Sequence, residues 1–545
     1  MSTTHHVYIN SWHVREANNN YVGVKERVVT ENDDGTTDVK DNIRFIRDPL
    51  RPFWVTKPEY RIHEYKKEYE DIDKCDKYIC HDSELEEKIA SALGKYGRHH
   101  RLPILSRSPY LYGADINTES LVKQKYLSQN KDYTVPFTKG GFDIEVEMEG
   151  AGRINLITFI HDKEVYTAAL RDYCKVYEDE KYVKEATEED LYATAESLLK
   201  PLLDAHGFKL HIHIAETELG VIKWVFDKIH QSKTDFISVW NMNFDIPYIL
   251  NRLAELKVPP EEIFCSPEIP REDWYVKYRT DNSALQHFTD RWDWLTCSSY
   301  SQFYDSMCLY ARLRKVYGRD SSYSLDAISD KELKLHKLHF GKITNHHRAQ
   351  RYEFPKYLAY NINDVILLML LEEKNKDVDN MCGLADGTLL SEYSRQTSLV
   401  RNAAYQYAKE RDKVIATTSD DMYTDYDRMM SKSGGTVLPL DRADICIKAI
   451  NGSDGRSLVT IMVNDLDIGS SYPSAISAMN ISKETYLGSI IAINDKAQGD
   501  VEVWNTGLIQ PEVHALIASH YFYEMPTTEE MSKKFDEYLK TRQQS

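Results

Sequence analysis

The sequence predicts a multidomain protein of mixed α/β and α+β class, and three observations carry that expectation. At 545 residues the chain is long enough for about three or four domains, each with its own core. From about Phe137, apolar strand-like runs alternate with amphipathic helical stretches, the mark of an α/β domain. After a further helical stretch, Gly434-Gly435 opens a β-rich section.

Residues 1–136 make the first segment, where runs at 28–30 and 53–55 predict strands and Asn32-Asp33-Asp34-Gly35 predicts a turn. No motif in this segment attaches to chemistry. Over 137–376 the predicted order includes strands at 154–160 and 236–239 and helices at 186–203 and 248–256. Helix then dominates from about 365 to 411. Apolar runs at 445–450 and 458–463 flank Asn451-Gly452-Ser453-Asp454-Gly455, which predicts a hairpin. Pro526-Thr527-Thr528-Glu529-Glu530 reads as a helix start with Thr527 and Glu530 at capping-box spacing. Met531, Phe535 and Leu539, with Tyr538 beside them, give that helix an apolar stripe.

Lys and Arg number 68 against 86 Asp and Glu, a net charge of −18. That balance excludes a protein that grips nucleic acid by phosphate neutralisation over its whole surface. Any DNA contact is expected at local basic surfaces, such as Arg312, Arg314, Lys315 and Arg319 or Arg98, His99, His100 and Arg101, with divalent cations cancelling clustered carboxylates. The eight cysteines show no C-x-x-C pair, so neither a structural zinc site nor a disulfide framework is expected. The first residues lack a signal pattern and no apolar run is long enough to cross a bilayer, which predicts a soluble, cytoplasmic protein.

Three acidic motifs stand out. In Phe142-Asp143-Ile144-Glu145-Val146 an apolar strand projects Asp143 and Glu145 from one face, because side chains alternate with period two. Alone, such a pair is expected by chance in so acidic a chain. Trp240-Asn241-Met242-Asn243-Phe244-Asp245 follows the strand at 236–239, placing Asp245 at a strand-to-helix junction open to a cleft. In Tyr360-Asn361-Ile362-Asn363-Asp364 helical spacing puts Tyr360 and Asp364 on one face.

Taken in order, D-x-E on a strand, N-x-x-F-D after a strand and Y-x-x-x-D on a helix resemble the three exonuclease motifs of family B DNA polymerases, specifically those of T-even-like bacteriophages. Tyr323-Ser324-Leu325-Asp326 and the strand at 154–160 share in the resemblance, which covers about residues 137–371. It implies a ribonuclease H-like 3′→5′ proofreading exonuclease domain over 137–376. An amino-terminal domain would begin in 1–136 and be rejoined by a helical return over 377–433. By the same resemblance Asp143, Glu145, Asp245 and Asp364 hold two divalent cations, Mg²⁺ or Mn²⁺, and Tyr360 helps position the attacking water. Two ions of this kind cleave a phosphodiester without a protein nucleophile, and hard oxygen ligands suit them. Asn241 and Phe244 are the candidates to hold or stack the terminal nucleotide.

Further along, Val463-Asn464-Asp465-Leu466-Asp467-Ile468-Gly469-Ser470-Ser471-Tyr472-Pro473-Ser474 runs from a strand through a turn to a helix opened by Pro473. It resembles polymerase motif A of the same family, D-x-x-S-L-Y-P-S. Asp467 then aligns with the metal-binding aspartate, and Ser470, Ser471 and Tyr472 with the nucleotide pocket; Ser471 replaces the usual leucine. Asp465 is a rival ligand on the same strand face, but the spacing to Tyr472 favours Asp467. Gly434 and Gly435 resemble the glycine-rich stretch that touches template phosphate. The family's K-x-x-x-N-S-x-Y-G helix and Y-x-D-T-D-S hairpin do not occur in the 545 residues.

The resemblance therefore implies a partial palm over 434–524 and the start of a finger helix over 525–545. A carboxy-terminal polymerase chain would supply the rest, as in a split replicative polymerase. The implied partners are primer-template DNA and a single-stranded 3′ end, a dNTP at the completed site, and replisome proteins such as a sliding clamp through the other chain. No membrane is among them, and the implied location is the host cytoplasm if the chain is phage-encoded. Two other readings stand beside this one: a free-standing 3′→5′ exonuclease with a vestigial polymerase region, and a nucleic-acid-binding regulatory protein, the latter disfavoured by the four intact carboxylates.

Overall fold

The computed structural model describes residues 3–419, apart from short stretches at 17–18, 63–65, 96–100, 131–134, 149, 282–286, 339–345, 385–387 and 393–394. The predicted hairpin at 445–463 and the predicted helix after Pro526 lie outside the described residues.

At the centre is a six-stranded mixed sheet. Its strands are β1 (Lys139–Val146), β2 (Ile154–His161), β3 (Glu164–Leu170), β4 (Lys209–Ala215), β5 (Phe236–Val239) and β6 (Gln302–Asp305), in spatial order β4-β3-β2-β1-β5-β6. All run parallel except β2, which pairs antiparallel with both β1 and β3. This is a mixed α/β arrangement consistent with the ribonuclease H-like domain that the resemblance implies.

Period-two alternation divides the strands between two cores. Phe142 and Ile144 of β1, with Ile157 and Phe159 of β2, face α2 (Glu218–Ser232) and α3 (Met242–Glu255). Leu156 and Ile160 face the opposite way, toward α1 (Glu188–His206) and α6 (Phe354–Asn375). Between them in chain order lie α4 (Ser306–Leu313) and α5 (His346–Tyr352). The expected helix near 186–203 is α1, begun by a Thr187–Asp190 capping box and ended by Gly207 in the left-handed region at φ 71°. Leu191, Ala195, Leu199 and Leu203 recur every four residues and are buried.

One glycine decides how close α6 comes to β1. A Cβ on Gly141 would lie 3.0 Å from Val365 Cγ1 and 3.4 Å from Met369 Cγ, so the missing side chain is what lets this helix settle on the strand. Gly141 shares its strand face with Asp143 and Glu145, and that face therefore looks at α6.

The structure departs from the expected helices twice. α3 begins at Met242 rather than Tyr248, because the Asp305 carboxylate at the end of β6 accepts the Met242 N–H at 3.0 Å. That cap comes from a distant strand and leaves no local signal. The stretch predicted as helical from 365 to 411 is divided: α6 ends where Lys376 turns left-handed at φ 52°, and further helices span Asp377–Leu384 and Gln396–Lys409.

The first segment forms an antiparallel sheet from Thr3–Glu16, Asn19–Glu31 and Thr37–Arg47. It is tied to the central sheet at Asp235, the residue before β5. Lys25 Nζ lies 2.5 Å from Asp235 Oδ1, and Arg27 Nη2 donates to both carboxylate oxygens at 2.9 Å. After the central domain, Lys413–Ile415 pairs with Tyr69–Asp71. The seven described cysteines are free, and no described helix is long and apolar enough to cross a membrane.

Candidate active site

Three elements bring four carboxylates together. β1 contributes Asp143 and Glu145, the first turn of α3 contributes buried Asp245, and α6 contributes buried Asp364. Asp245 Oδ1 accepts the Ile144 N–H at 3.3 Å, directly between the two β1 acids. On α6 the residues Tyr357, Tyr360, Asn361 and Asp364 fall at i, i+3, i+4 and i+7, one helical stripe. Asn361 Nδ2 donates to Asp143 Oδ2 at 2.6 Å, and the Tyr357 hydroxyl donates to Glu145 Oε2. Behind Tyr357, Gln350 Nε2 donates to its hydroxyl at 3.1 Å and to the Val146 carbonyl at 2.5 Å, while Gln350 Oε1 accepts the Met148 N–H at 3.2 Å.

Among the described residues one cation enters this group. Lys337 Nζ lies 2.6 Å from Asp364 Oδ2 and donates to the Tyr360 hydroxyl at 3.1 Å. Nothing in the local sequence distinguishes this lysine, and it is not among the residues expected from the motifs. Asp305 was missed in the same way, although an aspartate before Ser306-Met307-Cys308 fits an N-cap: it accepts the Cys308 N–H at 2.8 Å and fixes the start of both α3 and α4.

The electrostatics follow from four acids that share, among the described residues, one lysine. Burial, then the charges of Asp245, Glu145 and Asp364, push the Asp143 carboxyl well above its ordinary range against the pull of Lys337. Burial raises Glu145 to about 8, although the Tyr357 hydrogen bond opposes it. Burial likewise raises Asp245 to about 7 against its backbone hydrogen bonds, and Asp364 to about 6 against Lys337. For Lys337 itself burial works against the charge, but Asp364 and Tyr360 outweigh it and raise its pKa.

Asn241 and Phe244 sit beside this cluster at the start of α3, both exposed, with Phe244 at 45 % and its ring 5.5 Å from that of Tyr248. The candidate basic surface is largely spent on ion pairs: Arg314 binds Asp377 at 3.0 Å, and Lys315 and Arg319 bind Asp290 at 3.0 and 3.1 Å. Gly434, Gly435, Asp467, Ser470, Ser471 and Tyr472 lie outside the described residues, as do Arg98, His99 and His100.

Among the described residues no three acid, histidine or cysteine side chains close into a cage around one point. The donor set nonetheless fits divalent cations. Asp364 Oδ1 is buried without a hydrogen-bond partner among the described residues, and the mutual repulsion of the acids is of the kind that bound cations relieve.

Residues 115–328 match the family model described as DNA polymerase family B, exonuclease domain. The matched span contains Asp143, Glu145 and Asp245 and stops short of Tyr360 and Asp364, which the fold brings to the other three carboxylates. No curated protein matches the chain.

Proposed function

We propose that the chain is a metal-dependent 3′→5′ DNA exonuclease that proofreads for a family B polymerase. The family match supports a nuclease of this type. The observation that carries the reading is the convergence of four carboxylates from β1, α3 and α6 on a site that Lys337 serves. Asp143, Glu145, Asp245 and Asp364 would hold two Mg²⁺ or Mn²⁺ ions. Such ions, when bound, lower the pKa of water and offset charge on the leaving 3′ oxygen. The chain's own groups do the rest. Tyr360 keeps its phenol proton, since burial and Asp364 raise its pKa, so it is a hydrogen-bond donor to an attacking water or phosphate oxygen. Lys337 holds Tyr360 and Asp364 in register. Exposed Phe244 offers a stacking face for the terminal base, and Asn241 a polar contact.

The test is degradation of 3′-labelled single-stranded DNA in Mg²⁺ by the wild type and by Asp143→Ala/Glu145→Ala. The double variant should keep its fold by circular dichroism and lose degradation; undiminished activity would refute the assignment.

The finer reading is that of the amino-terminal subunit of a split replicative polymerase of the T-even-like phage type, working in the host cytoplasm. The resemblance of Asp467, Ser470, Ser471 and Tyr472 to motif A supports it, as does that of Gly434 and Gly435 to the glycine-rich template contact. Synthesis from dNTPs on primer-template would then need a second polypeptide with the Y-x-D-T-D-S and K-x-x-x-N-S-x-Y-G motifs, through which a sliding clamp would also be engaged. Mixing the two chains should give synthesis that Asp467→Ala abolishes. Templated synthesis by the 545-residue chain alone would count against the split.

A further inference from the structure

A cavity of about 290 Å³ lies beside the carboxylate cluster, lined by Lys175, His347 and Arg351 together with Tyr173 and Tyr177. β1 and β3 run parallel, so the segments that follow Val146 and Leu170 emerge at one edge of the sheet. Ligands of open α/β sheets bind outside the carboxyl ends of strands, and this cavity is built from the segment after β3 and from α5. Its volume falls near the lower end of ligand clefts, roughly 300 Å³.

Charge distinguishes the lining. Nearby cations are already paired: Arg153 with Glu147 and Asp172, Lys184 with Asp190, and Arg348 with Glu180. Lys175 and Arg351, by contrast, form no ion pair among the described residues. Asp172 also lines the cavity and is turned toward Arg153 Nη1 at 2.7 Å, a guanidinium that it shares with Glu147. In a chain of net charge −18, a cavity lined by two cations outside any described ion pair and by a histidine suits an anion.

The aromatic lining narrows the class. Tyr177 is packed edge-on against Tyr352 at 5.3 Å, and Tyr173 is held by its hydroxyl, which donates to Glu147 Oε1 at 2.5 Å. These fixed rings border the cavity next to the cations, within a lining that is mainly polar. A phosphate dianion joined to a planar base satisfies both halves of the lining. Gln350, which also lines the cavity, is the residue that backs Tyr357 and hence Glu145. The cavity is thus one side chain from the cluster proposed to release such molecules.

We propose that this cavity binds a nucleoside 5′-monophosphate, its phosphate between Lys175 and Arg351 and its base against Tyr173 and Tyr177. That identification of the ligand as the reaction product rests on the exonuclease reading. The site itself is separate from the four carboxylates and needs no metal ion.

The test is titration of the full chain with dAMP in EDTA, followed by calorimetry and by NMR shifts of the nucleotide. Wild type and Asp143→Ala/Glu145→Ala should bind alike. Lys175→Glu/Arg351→Glu should bind about tenfold or more weakly, as expected for loss of charge-assisted hydrogen bonds. Lys175→Gln and Arg351→Gln singly should show intermediate losses, a check that does not depend on charge reversal being tolerated. Inorganic phosphate should compete more weakly than dAMP, and deoxyadenosine more weakly still. Three outcomes would overturn the proposal: no saturable binding by wild type, equal binding by the charge-reversed variant, or loss of binding in Asp143→Ala/Glu145→Ala, which would place the nucleotide on the carboxylates. Phosphate binding as tightly as dAMP would reduce the site to a simple anion pocket and also overturn it. Absence of DNA degradation by wild type, with dAMP binding intact, would sink the exonuclease reading alone.

Discussion

Asp82 and Asp245 are equally buried, each 3 % exposed, yet their carboxyls are driven in opposite directions. Around Asp82 burial favours the neutral acid, but Arg15 at 2.7 Å and Arg51 at 3.0 Å outweigh it and hold the pKa at about 2. Asn20 and Thr118 also donate to it, at 3.0 and 2.9 Å. Asp245 accepts the Ile144 N–H and has no cation in contact among the described residues, so burial carries it to about 7. The same residue type at the same depth serves two ends. Saturated with donors, it fixes the first segment; beside three other acids and away from any described cation, it belongs to the site proposed to hold metal ions.

The comparison is broken most severely by neutralising the two acid types. Asp82→Asn leaves Arg51 buried without its counter-charge and should lower stability by about 3–5 kcal/mol, read from urea unfolding at pH 7. Its folded pKa lies below the ordinary 3.8, so the stabilisation is full above about pH 4 and lost as pH falls toward 2. The carboxylate cluster should show the reverse. Glu145 and Asp245 titrate near 8 and 7 instead of 4.5 and 3.8, so between about pH 4 and 8 the folded chain holds protons that the unfolded chain has released. Stability without divalent cations should therefore decline as pH rises through that interval. Asp143→Asn/Glu145→Gln should melt higher than wild type at pH 8 in EDTA and close to it at pH 5. A lower melting temperature for that variant at pH 8 would show that the cluster is not starved of positive charge.

A smaller effect is expected from Lys337, the lysine described at the cluster. Lys337→Met keeps the stem and removes the ammonium from Asp364 and Tyr360. The rate of degradation should fall about 10²-fold under saturating Mg²⁺, the usual cost of losing one preorganised electrostatic group. Single-turnover kinetics would show this as a loss in the chemical step, and an unchanged rate would demote Lys337 to packing.

How much of this was legible depends on how local each cause is. The face shared by Asp143 and Glu145 follows from strand period alone, and the stripe of Tyr360 and Asp364 from helical period. The strand at Phe236–Val239 and the buried run of β2 were likewise visible as apolar segments. Lys337 was not, because its bond to Asp364 spans 27 residues and lysines are common in that stretch. The early start of α3 was hidden because its cap comes from Asp305, 63 residues away. Gly141 could be read as a strand glycine but not as the place where α6 lands. The tie of Arg27 to Asp235, over 208 residues, has no local signature either.

The finest test of the contrast concerns how the clustered acids are kept in place. Tyr357 is buried on α6, its hydroxyl donates to Glu145, and its ring stacks on Tyr360 at 6.0 Å and 17°. Tyr357→Phe keeps the ring and its stacking and deletes the one donor. Gln350 retains the Val146 carbonyl as acceptor, so the backing residue need not move. The folded state should thus survive while Glu145 gains rotational freedom toward bound cations. Removing a partner that orients a metal ligand costs about 10–100-fold in metal affinity, and the lower end is expected here because Asp143 keeps its Asn361 partner. Calorimetric titration with Mn²⁺ in the absence of DNA reads this directly, and the Mg²⁺ concentration for half-maximal degradation should rise in step while the rate at saturating Mg²⁺ changes little. A variant that binds Mn²⁺ as wild type does would show that burial, and not the Tyr357 hydroxyl, holds Glu145 in position.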